Sequence, residues 1–202
     1  MTEIPAKAVR PRDAATLVLV REGGTGLEVL MGRRVAAHRF MPNMFVFPGG
    51  RVDPADARAA VFRDLNPEVA TRLGRQARAI GVAAIRETHE ETGLVLGREV
   101  EGRVEADLSG LDVLARAITP PDSPIRFHAR FLVARAETAT GTLGGSGELV
   151  ELGFRPLAEA LRLPLADITE FILHDLARDG IGRRPTLKLY SYRRNRPVIR
   201  HG

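Results

Sequence analysis

The stretch Arg86-Glu87-Thr88-His89-Glu90-Glu91-Thr92-Gly93-Leu94 restricts what this chain can become more than any other. From Gln76 to Thr92 the pattern is helical, with Ile80, Ala84 and Ile85 spaced for packing and Gly93 placed as the C-terminal cap. Carboxylates therefore crowd the last turns of one helix. Glu87, Glu90 and Glu91 are related by i,i+3 and i,i+4 steps, so they project from one face. The C-terminal end of a helix already carries partial negative charge, which disfavours acidic side chains there by a few tenths of a kcal/mol or more each. Such an end either stays in bulk water, as a solvated Glu-rich face, or is met by positive charge. Arg86 can pair with Glu90 at i,i+4. Hard divalent cations also suit oxygen clusters of this kind, with Mg²⁺ usually held by few carboxylates plus substrate phosphates.

Strand-like segments surround the helix. Residues 14–21 (AATLVLVR) form an apolar, β-branched run that reads as a buried strand. A glycine turn at 22–26 returns the chain into 27–33 (LEVLMGR), a second strand. Met44-Phe45-Val46-Phe47 is a short strand running into the breaker Pro48-Gly49-Gly50. Residues 54–75 read as helix in two pieces, divided near Asn66-Pro67 and ended at Gly74. Gly81, inside the acidic helix, marks a close packing contact. Residues 108–118 (LSGLDVLARAI) read as a short helix closed by Pro120-Pro121, and Ile125 to Ala136 as the longest strand. After a glycine-rich loop, 149–154 is a strand, and 156–163 and 168–178 are amphipathic helices. A mixed sheet covered by helices, an α/β fold, is the economical architecture.

Composition removes several classes. Without cysteine there is neither a disulfide framework nor a thiolate metal site. No apolar run approaches the roughly 18 residues that span a bilayer, and Met1 to Lys7 lacks the apolar core of a signal peptide. A cytoplasmic location is the expectation. The net charge of +5 comes from arginine and favours anionic partners. The basic end, about 185–202, carries Arg193, Arg194, Arg196 and Arg200 beside Tyr190 and Tyr192. It reads as a solvated tail or part of a subunit interface. RNA engagement through stacking tyrosines is the rival reading, although nucleic acid is not the expected partner. The five histidines show no ligand spacing and read as structural or exposed.

Taken together, Gly50 and the acidic helix resemble the box of the Nudix hydrolases, Gly-x5-Glu-x7-Arg-Glu-U-x-Glu-Glu-x-Gly-U with U aliphatic. Gly50 is followed after five residues by Asp56, where the family has Glu. Arg86 to Leu94 fits the second half, with Thr88 in place of the aliphatic residue, a near match in shape whose hydroxyl needs a partner. An insertion of about 22 residues, covering most of 57–79, splits the box, and chain closure over such a length is inexpensive. The insertion is expected to be helical and amphipathic, a flap or a wall over the leaving group. With Phe47-Pro48-Gly49-Gly50 ahead of it, the split box resembles the branch that includes coenzyme A diphosphatases. The resemblance covers roughly 12–178 and includes Glu148, similar to a late glutamate that some members use as base or metal ligand.

The resemblance implies an α/β/α sandwich, a single domain over 1–202, and hydrolysis of a diphosphate linkage in a nucleoside diphosphate derivative with Mg²⁺ or Mn²⁺. It points to Glu90 and Glu91 as metal ligands, Glu87 as a third ligand or as the base near the water, Arg86 as the residue holding a glutamate in its productive rotamer, and Glu148 as a further catalytic carboxylate or else a loop charge. Gly49 and Gly50 let backbone approach the helix and the substrate. Asp56 is read as a helix cap rather than a direct catalyst, with Asp53 an equal claimant. Arg33 and Arg39 are candidate substrate contacts, because Val29 to Arg33 followed by Arg39 partly matches the coenzyme A element. ADP-ribose, nucleotide sugars and dinucleotides are the other substrate classes. A homodimer is expected from the habits of relatives, and a Nudix-fold binding protein without turnover is the alternative to an enzyme.

Overall fold

Both faces of the strand at Arg12–Gly23 (β1) are covered, which explains its unbroken apolar run. Leu17 and Leu19 pack into one core and Val18 and Val20 into another, all fully buried. The computed structural model describes residues 9–38, 40–182, 184, 186–194 and 196–201. After β1 come Gly26–Arg34 (β2), Phe45–Val46 (β3), Gly49–Arg51 (β4), Val61–Arg63 (β5) and the helices Pro67–Leu73 (α1) and Ala77–Thr92 (α2). Leu94–Val95 (β6), Gly97–Val100 (β7), Arg103–Asp107 (β8), Asp112–Ile118 (β9), Phe127–Arg135 (β10) and Thr140–Gly141 (β11) follow. Leu149–Pro156 (β12), Leu157–Ala160 (α3), Asp167–Asp179 (α4), Lys188–Arg193 (β13) and Arg196–His201 (β14) complete the order.

The main sheet runs β12-β2-β1-β10-β9-β13-β14, with β3 beside β2 and β4 beside β1. It is mixed: β1 lies parallel to β10 and β9 parallel to β13, while β2, β4 and β12 join antiparallel. One face packs on α1 and α2 through Ile80, Ala84 and Ile85, and the other on α3 and α4 through Ile172, Leu173 and Leu176. The α/β sandwich with a central mixed sheet is therefore the observed fold. Gly81 is where α2 is crowded, since a Cβ there would sit 3.2 Å from Leu108.

Several local expectations change. Residues 112–118 form a strand, β9, instead of a helix. Val113 and Leu114 point into the two different cores, so a run that looked helical by its leucines is a strand buried on both faces. Pro120 and Pro121 fall in the β9–β10 connection. In the box insertion only α1 is helical, capped by Asn66 with Pro67 at its start. The upstream piece is a short 3-10 turn at Asp56–Arg58 and the strand β5, which pairs with β8. The hairpin β7–β8 went unread in the sequence. Its turn uses Glu101 and Gly102, both at positive φ, as a tight two-residue turn demands. The residues expected as a basic tail instead form the β13–β14 hairpin and extend the sheet beyond β9.

Candidate active site

Arg86 organises the carboxylates at the end of α2. Its Nε donates to Asp56 Oδ1 at 2.9 Å, and Nη2 to Asp56 Oδ2 at 3.2 Å and to the Arg51 carbonyl at 3.1 Å. Nη1 donates to Glu87 Oε1 at 2.9 Å and Glu90 Oε2 at 3.2 Å. A planar fork with several fixed donors suits this task, and an ammonium would not reproduce it. Asp56, only 2% exposed, thus clamps the arginine from the far half of the box. It also accepts from the Asp53 amide at 2.7 Å, three residues back, so it begins a 3-10 turn without being the cap residue the sequence suggested. These bonds hold the guanidinium strongly protonated, above its ordinary range.

Glu91 is the most enclosed of the glutamates. It is 5% exposed and accepts from the Gly49 amide at 2.9 Å. Burial, with the nearby charges of Glu87 and Glu148, pushes its pKa up to about 7 despite that amide and Arg34. Burial also raises Glu87, against the pull of Arg86. Gly50 leaves the room that Glu87 occupies, for a Cβ there would lie 2.4 Å from the Glu87 carboxylate. Glycine is required at Gly49 for a different reason: a Cβ would meet the Ala15 carbonyl oxygen at 2.4 Å, where β4 pairs with β1. Thr88 is fully buried, and its hydroxyl donates to the Ala84 carbonyl at 2.7 Å.

Glu87, Glu91 and Glu148 line one cavity of about 370 Å³ together with Gly49, Gly50 and Arg34. Glu90 is outside that lining; its exposed side chain is turned onto Arg86. Arg34 was missed in the sequence. Its Nη1 lies 2.7 Å from Nε2 of His38, its buried Nε has no acceptor among the described residues, and burial lowers its pKa against the attraction of the three glutamates. Strand alternation counted from Leu30, which packs toward α2, would have selected Arg34 over its neighbour. Arg33 is one residue out of phase. It donates to Glu151 at 2.8 Å and 2.6 Å and does not line the cavity, so its reading as a substrate contact is corrected. Arg39 lies outside the described residues.

The family model for the NUDIX domain matches residues 10–176. The chain belongs to the Nudix family. A solved NUDIX hydrolase from Alicyclobacillus acidocaldarius is 30% identical, with a TM-score of 0.67, over 82% of this chain and 90% of that one. The NUDIX domain of Shewanella oneidensis NrtR, solved with ADP ribose, shares the fold at 18% identity and a TM-score of 0.55, covering 90% of this chain and all of that one. A Caenorhabditis elegans protein provisionally named nudix hydrolase 7 is 38% identical over 84 residues. That match spans 42% of this chain and 22% of the relative. Within the Nudix box the split is now physical: Asp56 and Arg86 meet although the whole β5–α1 segment lies between them.

Proposed function

We propose that this chain is a divalent-metal-dependent hydrolase of the diphosphate linkage in nucleoside diphosphate derivatives. The observation that carries the reading is the convergence of Glu87, Glu91, Glu148 and Arg34 on one cavity beside the Gly49-Gly50 backbone. Among the described residues no three acidic or histidine side chains stand preassembled as a metal cage. The donor chemistry nonetheless fits a hard cation: the carboxylates facing the cavity are partly desolvated and repel one another, a cost that a cation would relieve. Glu87 and Glu91 would hold Mg²⁺ or Mn²⁺, joined by Glu90 once it exchanges Arg86 for the metal. When bound, the ion supplies neutralisation of phosphate charge and acidification of water.

The chain's own residues do the positioning. Arg86 and the Gly49 amide fix Glu87 and Glu91, so their carboxylates need little reorganisation when the diphosphate arrives. Arg34 lines the same space and would supply a positive charge for a phosphate oxygen. Glu148, exposed and in the same lining, would take a proton from an attacking water. The substrate classes to be compared are coenzyme A and its acyl derivatives, ADP-ribose, nucleotide sugars and dinucleotides. Arg33, held by Glu151, lends the coenzyme A reading no support. A phosphate-release panel over these compounds, with Mg²⁺ or with chelator, tests the proposal. Cation-dependent turnover of at least one class is expected; no turnover of any class with Mg²⁺ or Mn²⁺ would contradict it.

A further inference from the structure

The cavity does not stop at the carboxylates. It crosses the sheet on a floor of small side chains, because Ala14 of β1, Ala129 of β10, Ala117 of β9 and Tyr190 of β13 stand in one register row. Side chains in such a row share a face. Three alanines therefore leave a trough, which larger residues would fill. It begins where Ala15 and Thr16 pair with Gly50 and Gly49, next to Glu87 and Glu91. It ends at Tyr190 and Tyr192. From β1 to β13 are three strand spacings, about 14 Å. That span is comparable to the reach from a diphosphate through a ribose to its base.

The far end has the chemistry of a planar, apolar guest with one polar edge. Phe40 and Phe127 meet edge to face with ring centroids 5.1 Å apart, as do Tyr190 and Tyr192 at 5.7 Å. Both pairs contribute to the lining, and aromatic walls favour stacked rings. The Tyr192 hydroxyl donates to Asp167 Oδ2, while Asp167 Oδ1 accepts from the Ile168 amide at 2.8 Å. Asp167 thus begins α4 as a fixed, acceptor-only group in the same lining. The hairpin bearing the tyrosines lies beyond residue 176, where the family match ends. Its seat is built deliberately: Asp175 of α4, 2% exposed, accepts from Arg184 Nε at 2.7 Å and from Lys188, the first residue of β13.

The geometry points to a nucleobase subsite formed by the C-terminal hairpin and the start of α4, resting on the hydrolase reading above. Tyr192, Phe40 and Phe127 enclose the base, and Asp167 selects one bearing an exocyclic amino group, as adenine, cytosine and guanine do. Uracil presents its ring N–H between two carbonyls, which a carboxylate repels.

The chain has two tyrosines and no tryptophan, so its intrinsic emission reports on this end of the cavity alone. ADP, CDP and UDP are titrated in the presence of Mg²⁺, with nucleotide absorption corrected against free tyrosine. ADP and CDP are expected to change the emission saturably, with UDP about fivefold weaker. In Asp167→Asn that preference falls to within about twofold, because an amide donates as readily as it accepts. Tyr192→Ala is expected to raise KM for an ADP-linked substrate about tenfold with kcat nearly unchanged, and Tyr192→Phe to keep most of the affinity. Equal binding of UDP would overturn the subsite, as would silent emission while turnover proceeds; either leaves the hydrolase reading in place. The expected emission pattern in a protein that hydrolyses none of the panel supports the subsite and removes the hydrolase reading. Silence in both assays overturns both.

Discussion

A Cβ added at Gly49 meets backbone, whereas one added at Gly50 meets a side chain, so the two substitutions are expected to differ in effect. At Gly49 an added Cβ runs into backbone, the Ala15 carbonyl and the Thr16 Cα, which cannot withdraw without breaking the β1–β4 pairing. Gly49→Ala is expected to destabilise the fold by about 1–3 kcal/mol, read as a lower thermal midpoint. At Gly50 the obstacle is the Glu87 carboxylate, the mobile end of a side chain. Gly50→Ala is therefore expected to melt close to the parent while losing most turnover, because Glu87 is displaced from Arg86. Arg86→Lys keeps the charge but loses the fork that reaches Asp56, Glu87 and Glu90 together. Its expected cost is about 10–100-fold in kcat, with weaker cation affinity, measured by metal titration of activity. Much of this was legible beforehand, since spacing alone brings the glutamates and Arg86 to one helix end. What spacing could not supply was direction: Arg34 and Arg33 differ by one residue, and only the strand's phase decides which of them faces the carboxylates.

At the scale of elements, strands buried on one face or two follow different sequence rules. The uniform run of β1 and the long β10 were readable as strands, as was α2 with its glycine cap. β9 was not, because a short apolar segment covered on both sides has no alternation to distinguish it from a helix. The C-terminal hairpin was hidden for another reason: its arginines dominate its composition, and its seat is a set of tertiary ion pairs with Asp175 of the neighbouring helix α4, which no periodicity announces. Asp175→Asn leaves Arg184, 5% exposed, without its carboxylate. That is expected to cost about 3 kcal/mol or more and to alter tyrosine emission before global unfolding, measured in parallel denaturation curves. A second element-level device is His128 on β10. Burial, then Arg130 and Arg116, hold its pKa down to about 4 against the weaker pull of Asp13, and Arg116 donates into its Nε2 at 3.0 Å and 3.2 Å. A depressed histidine contributes stability that is complete above its unfolded value near 6.5 and lost as pH falls through about 4. His128→Gln is expected to flatten that acid limb of the stability curve. An unchanged slope between those pH values would contradict the assignment.

Across the whole molecule, the cavity runs along the width of the main sheet, lined by residues of β1, β10, β9 and β13. Carboxylates from α2 and the loop before β12 line one end of the cavity, and tyrosines of β13 line the other. No helix among the described residues is long and apolar enough to cross a membrane. The family match takes in the split box and most of α4, and β13 lies beyond its last residue. The β5–α1 insertion packs Leu65, Val69 and Leu73 into the α2-side core and adds no residue to the cavity lining. Its contribution in this structure is to extend that core, while Asp56 just ahead of it anchors Arg86. The proposed metal-dependent hydrolysis is tested by cation-dependent phosphate release from the diphosphate panel by the parent protein, Glu91→Gln and Glu90→Gln. The parent is expected to turn over with Mg²⁺ and to stop with chelator. Glu91→Gln should lose at least about a hundredfold in kcat with its melting midpoint retained, and Glu90→Gln should lose less. Full turnover by a folded Glu91→Gln protein, or parent turnover indifferent to chelator, would contradict it.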